Sequence, residues 1–215
     1  MYSPPPDTGL NIVYQDDSLI VIDKPAGLLS VPGRGPEKAD CLSARVQARF
    51  ADALVVHRLD MSTSGLLLFA RGERMQSELS RLFRERQVDK RYTAVVHGLL
   101  ADDTGEVDLP LIVDWPNRPL QKVDLEIGKH SLTRYRLLKR DEAGFVSRVE
   151  LEPITGRSHQ LRVHMAQLGH PILGDDLYGG PAFERAERLL LHATELRLIH
   201  PLTAAALEFH APPPF

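Results

Sequence analysis

The sequence predicts an α+β fold: a mostly antiparallel central sheet with flanking helices. Three observations carry this. β-Prone runs recur at 11–15, 19–23, 90–98, 105–109, 122–126, 132–139, 145–152, 188–199 and 206–210. Several connections between them are turn-sized, such as Asp141-Glu142-Ala143-Gly144, too short for the crossovers that parallel neighbours need. Helical periodicity is confined to 39–50, 72–86 and 159–168, so strands and helices do not alternate as in a doubly wound α/β chain.

In chain order, residues 1–10 are a Pro-rich arm, expected to be mobile. Residues 11–215 read as a single domain, without an internal repeat or a linker. After two short strands, 24–35 is too rich in Pro and Gly for regular structure and reads as a rigid wall loop. Helix 39–50 places Leu42, Val46 and Phe50 on one stripe and Arg45 and Arg49 off it. Around residues 55–70 two apolar runs bracket the polar loop His57-Arg58-Leu59-Asp60-Met61-Ser62-Thr63-Ser64-Gly65. If the first run stays extended through Asp60, Arg58 and Asp60 share one side and His57 and Leu59 the other. Taken alone, that Asp reads as the cap of a Ser/Thr-rich turn with Arg58 as a surface partner.

Helix 72–86 turns Met75, Leu79, Leu82 and Phe83 inward and Arg74, Arg81 and Arg84 outward. With Lys90 and Arg91 these form the densest positive patch in the chain. It is either a solvated face neutralised by Glu73, Glu78 and Glu85 or a set of phosphate contacts. Tyr92 lies on strand 90–98. Ser158 is the expected N-cap of helix 159–168, with Leu161, His164, Met165 and Leu168 as its buried stripe, Gly169 as its stop and Arg157 at its entrance.

Composition excludes several classes. A 43% hydrophobic, 26% charged chain is ordinary for a globular protein, and no window approaches the roughly 20 apolar residues of a membrane span. The first residues lack the charged and apolar regions of a secretory signal, so a cytoplasmic location is expected. One cysteine, Cys41, rules out an internal disulfide and a cysteine-based zinc site. The closest histidines, His159 and His164, are five apart, which suits neither a helix face nor a strand face, so no metal is expected. A net charge of −3 argues against a surface coated in basic residues, and any nucleic acid must be held by local positive charge.

The string HRLDMSTSG at 57–65 resembles the HRLDxxTSG signature of the RluA family of RNA pseudouridine synthases, a match far more specific than a lone Asp-containing turn. LIVIDKPAGLLSVPG resembles that family's first motif, KRYTAVVHG its tyrosine-bearing segment and PITGRSHQLRVHMAQLGHPILGDDLYG its third, all in family order. DLPLIVDWPNRPLQKV resembles the dual-specificity branch, for which no S4 RNA-binding domain is expected. Residues 128–134 depart from the family pattern; lying far in sequence from the catalytic motifs, they are expected to leave the chemistry alone and to bear on substrate detail.

The resemblance implies a pseudouridine synthase domain with an active-site cleft. The implied reaction isomerises specific uridines in structured RNA, with stem-loops of 23S ribosomal RNA and tRNA as partners. No cofactor is implied and no obligatory protein partner is inferred. It assigns Asp60, Tyr92 and Arg157 as catalytic, Arg58 as the residue that fills the place of the flipped base, and Leu161 as apolar wall. Arg74, Arg81, Arg84, Lys90 and Arg91 are the further RNA-binding candidates. Two rivals are weighed against it. A glycoside or nucleoside hydrolase would need a second carboxylate, for which Asp175 and Asp176 are the only acidic pair in a motif-like loop. A non-catalytic RNA-binding protein of the same fold would be expected to lose Asp60, Tyr92 or Arg157.

Overall fold

The computed structural model describes residues 2–215. Its elements are β1 (Ile12–Gln15), β2 (Leu19–Lys24), α1 (Leu42–Arg49), β3 (Ala53–Val55), β4 (Ser64–Arg71), α2 (Glu73–Arg84), β5 (Asp89–His97), β6 (Thr104–Asp108), β7 (Leu111–Val113), β8 (Gln121–Val123), β9 (Leu132–Asp141), β10 (Val146–Pro153), α3 (Gln160–Gln167), β11 (Leu191–Ile199) and β12 (Ala206–His210). The chain divides into two compact units, one running to Lys90 with His192–Pro214 added, the other Arg91–Leu191 with Phe215.

In the first unit the strand order is β1-β2-β4-β11, with β12 on β11 and β3 on β4. Its pairings are antiparallel apart from β4 with β11. Leu19–Ile22 and Leu66–Ala70 are buried without alternation, the pattern of strands covered on both faces. α2 packs on β3 and β4, and α1 on β3. Gly65 sits at φ +108° beside the Ala193 backbone, and a Cβ there would collide with it. The glycine of the Thr-Ser-Gly string is therefore explained by close strand approach. The N-terminal residues are in contact with this unit: Tyr2 Oη donates to Asp40 O (2.9 Å) and Arg45 Nη2 donates to Pro5 O (2.7 Å).

In the second unit the order is β5-β10-β9-β6, all antiparallel, and β7 pairs with β8 as a separate two-stranded sheet. Ala94, Val96, Val149, Leu151, Leu161 and Met165 belong to its buried core. Among the described residues no helix is long and apolar enough to cross a membrane.

Three local readings are corrected. The strand expected to run to Asp60 ends at Val55, because the His57 imidazole, through Nε2, accepts the Leu68 N–H at 2.9 Å and the ladder has no further backbone partner there. Burial still alternates beyond it, with Arg58 exposed and Leu59 buried. Helix α3 is not capped by Ser158. Its N-cap is His159, held left-handed at φ 54°, ψ 15°, without a side-chain cap bond. Its burial is not a stripe either. All six residues from Gln160 to Met165 are buried, whereas Leu168 is 37% exposed, since a helix enclosed on every side has no solvent face to define an amphipathic period. The strand β7 went unread because three residues carry too little pattern.

Candidate active site

The Asp60 loop is fixed by the Pro/Gly-rich loop that follows β2. Lys24, at the end of β2 and with no exposed surface, donates from Nζ to the carbonyls of Pro25 (2.9 Å), Leu28 (2.7 Å) and Met61 (3.1 Å). Gly27 N also donates to Met61 O at 2.8 Å. Ser30, 4% exposed, donates its hydroxyl to Leu59 O (2.6 Å) and accepts from Leu59 N (3.1 Å). The backbone groups of both neighbours of Asp60 are thus clamped, and Thr63 N closes the turn on Asp60 O at 3.2 Å. Asp60 itself is half-buried and Arg58 exposed. Lys24 belongs to β2 and residues 25–35 carry no regular structure, as their Pro and Gly content predicts, but Lys24 and Ser30 as clamps were missed. The only signal was a lysine and a serine embedded in apolar runs.

Below the loop, His57 stacks on Phe83 with ring centroids 4.3 Å apart. Burial, reinforced by the Lys90 cation, pushes its pKa down to about 3. An imidazole whose Nε2 accepts from Leu68 must be neutral, and the lowered pKa keeps it so. On α2, Arg74 and Arg84 are exposed, whereas Arg81 is paired on its own helix with Glu78 (3.1 Å) and Glu85 (2.8 Å). Lys90 is partly buried, which lowers its pKa.

In the second unit, Tyr92 stands opposite Leu151 in the β5–β10 register and packs against the core cluster that contains Leu161. Arg91 pairs with Glu150 at 2.6 Å. Arg157 is exposed, on the turn between β10 and α3. Its turn is pinned by Gln160, 3% exposed, whose Oε1 accepts from Arg157 N (3.1 Å) and Thr155 Oγ1 (2.7 Å). The Gln160 amide nitrogen donates to Leu132 O (2.9 Å) and Thr133 Oγ1 (3.0 Å). His164 Nε2 lies 3.0 Å from Leu109 O, so it carries the proton, leaving Nδ1 to accept from Thr133 Oγ1 at 2.9 Å. Burial lowers the pKa of His164 accordingly.

Arg157 Nε donates to His130 O at 3.2 Å. Residues 128–134, far in sequence from Arg157, are therefore beside it in the fold, because sequence separation says nothing about separation across a sheet. Asp175 and Asp176 are also accounted for: both accept from Arg162, which is 2% exposed, with Asp175 bound through both oxygens at 2.9 and 2.5 Å. Asp175 is a structural counter-ion, so the second carboxylate a hydrolase requires has no support in this loop.

The described residues contain one grouping of metal-ligand type, Glu195, Glu208 and His210. Arg197 pairs with both carboxylates, at 2.8 and 2.9 Å, and already supplies the positive charge.

The family model described as RNA pseudouridylate synthase matches residues 18–167. The chain belongs to the RluA family of RNA pseudouridine synthases, isomerases that act on uridine in RNA. Among its relatives, a dual-specificity RNA pseudouridine synthase RluA of Escherichia coli K12 is 51% identical over 215 residues, covering 100% of this chain and 98% of that protein. Its Vibrio cholerae counterpart is 56% identical over 201 residues, covering 93% and 81%. Human RNA pseudouridylate synthase domain containing 1 superposes with a TM-score of 0.81 at 31% identity, covering 99% of this chain and 87% of that one.

Proposed function

We propose that this enzyme isomerises uridines in stem-loops of 23S ribosomal RNA and of tRNA, in the cytoplasm, with Asp60, Tyr92 and Arg157 as its catalytic residues. The observation that carries the assignment of Asp60 is the clamp. Lys24, Gly27 and Ser30 fix the backbone on both sides of one half-buried carboxylate, the preorganisation expected of a reacting group and unnecessary for a turn cap. The relatives named for dual specificity support the two RNA classes.

The reaction breaks the bond from C1' to N1 of uracil, turns the base and forms a bond from C1' to C5. The C5 proton is released and N1 gains one, so atoms balance without a redox partner. Ionised Asp60 acts on the sugar, as nucleophile at C1' or as base. Arg157 favours its charged form, and a planar guanidinium suits that task better than an ammonium. The uridine must leave its stack first, and Arg58 fills the space it vacates. Tyr92 lies against the extruded base, and Leu161 contributes apolar wall that keeps water from the open C1'. Arg74, Arg81, Arg84, Lys90 and Arg91 contribute phosphate contacts.

The test is a pseudouridine map of total RNA from cells with and without this protein, and from cells carrying Asp60→Asn. Sites should vanish in its absence and stay absent with Asp60→Asn, which removes one ionisable oxygen at nearly constant volume. A variant that retains a tenth of normal turnover on purified RNA refutes Asp60 as the catalytic group.

A further inference from the structure

We propose that Trp115 and Arg118, at the tip of the excursion between β7 and β8, form a stacking platform for an unpaired nucleobase of the substrate RNA other than the isomerised uridine. The inference rests on the pseudouridine synthase reading and adds a second base-binding site to it. Trp115 is 63% exposed, an unusual state for the largest apolar side chain. The Arg118 guanidinium carbon lies 4.3 Å from its ring centroid, and Arg118 Nε donates to Trp115 O at 3.1 Å. The guanidinium is therefore held over the indole from within the tip.

The tip is itself built, not frayed. Asp114 N donates to Leu120 O at 2.8 Å, and Asn117 Nδ2 donates to the Asp114 carboxylate at 2.9 Å. A single aromatic ring with a cation on it and polar neighbours is a poor seat for an apolar helix. It suits a nucleobase, which offers a π-face of any sequence while its phosphate meets the cation.

The root of the excursion is joined to the turn that carries Arg157. Leu111 and Lys129 exchange backbone bonds of 2.9 and 2.8 Å, and the next residue, His130, accepts from Arg157 Nε at 3.2 Å. On the other strand Gln121 N donates to Tyr178 Oη (2.8 Å), which lies 2.7 Å from His159 Nδ1. Trp115 is four residues along the chain from Leu111, a reach of at most about 14 Å. The platform therefore serves nucleotides near the target and not a distant RNA domain.

Trp115 is the one tryptophan in the chain, so its emission reports the tip alone. Titrating the intact enzyme with a stem-loop RNA substrate should quench it saturably, with the same midpoint as binding followed by a label on the RNA. Trp115→Ala should weaken binding by roughly 5- to 150-fold, the equivalent of one base–aromatic stack, with kcat at saturating RNA within about twofold. An abasic scan of the loop should find one position, outside the target, whose removal weakens the wild type but not Trp115→Ala. Unchanged emission on saturation, or identical abasic profiles for wild type and variant, overturns the platform. If the wild type neither binds the RNA nor forms pseudouridine in it, the parent reading fails instead, and the two failures are distinct.

Discussion

Removing the Ser30 hydroxyl should cost both stability and rate. In Ser30→Ala the Leu59 N–H and C=O, bonded at 3.1 and 2.6 Å to one oxygen, lose that partner in a site where Ser30 is 4% and Leu59 8% exposed. An orphaned buried polar group costs about 1–3 kcal/mol, so two of them, with some relaxation, should lower unfolding stability by about 2–4 kcal/mol. Leu59 adjoins Asp60, and a displacement of about 1 Å at a reacting group costs on the order of 100-fold. Lys24 and Gly27 still hold Met61 O, so kcat should fall by roughly 10- to 100-fold. Ser147 is the matched control. It has no exposed surface, accepts from Leu100 N at 3.0 Å and donates to Gly98 O at 2.9 Å, on a strand that carries no proposed catalytic residue. Ser147→Ala should lose similar stability and keep its rate. Urea unfolding and single-turnover pseudouridine formation at saturating RNA measure the two quantities. A Ser30→Ala enzyme within twofold of wild-type kcat, or a Ser147→Ala enzyme equally slowed, refutes the clamp.

Arg58→Ala should impair a folded stem-loop far more than an RNA already unstacked at the target uridine, by the few kcal/mol of unstacking; equal losses on both would remove Arg58 from base extrusion. The logarithm of RNA affinity should fall with log salt at a slope of three to five counterions, each worth about 0.7–0.9. Because Arg81 already serves Glu78 and Glu85, replacing Arg81 and Arg84 together should lower that slope by only about 1, and an unchanged slope would make α2 a solvated face. His57, whose pKa falls from 6.5 to about 3 on folding, binds fewer protons folded than unfolded between those values. Its contribution is complete above about pH 6.5 and is lost as pH falls towards 3, at up to about 1.4 kcal/mol per pH unit. His57→Gln, able to accept from Leu68 N through its amide oxygen, should flatten that part of the pH–stability curve; an identical curve would show that His57 is not the group responsible.

The sequence by itself determined the fold class, the family and the main strands, because alternation, turn-sized connections and ordered motifs are local properties of the chain. Strand β12, residues Ala206–His210, was read to the residue, and α2 was read with its buried Met75, Leu79 and Leu82, since one apolar stripe on an exposed helix is a complete signal. What only the tertiary structure decided were the relations between segments. Lys24 and Ser30 clamp residues about thirty positions or more away, and no spacing rule connects a side chain to a distant carbonyl. Residues 128–134 looked remote until His130 was found on Arg157. Helix α3 lost its readable period because its surroundings bury Gln160 and Arg162 along with its apolar residues, and burial of a polar group depends on the hydrogen-bond partners the fold supplies, here Thr133, Leu132, Asp175 and Asp176.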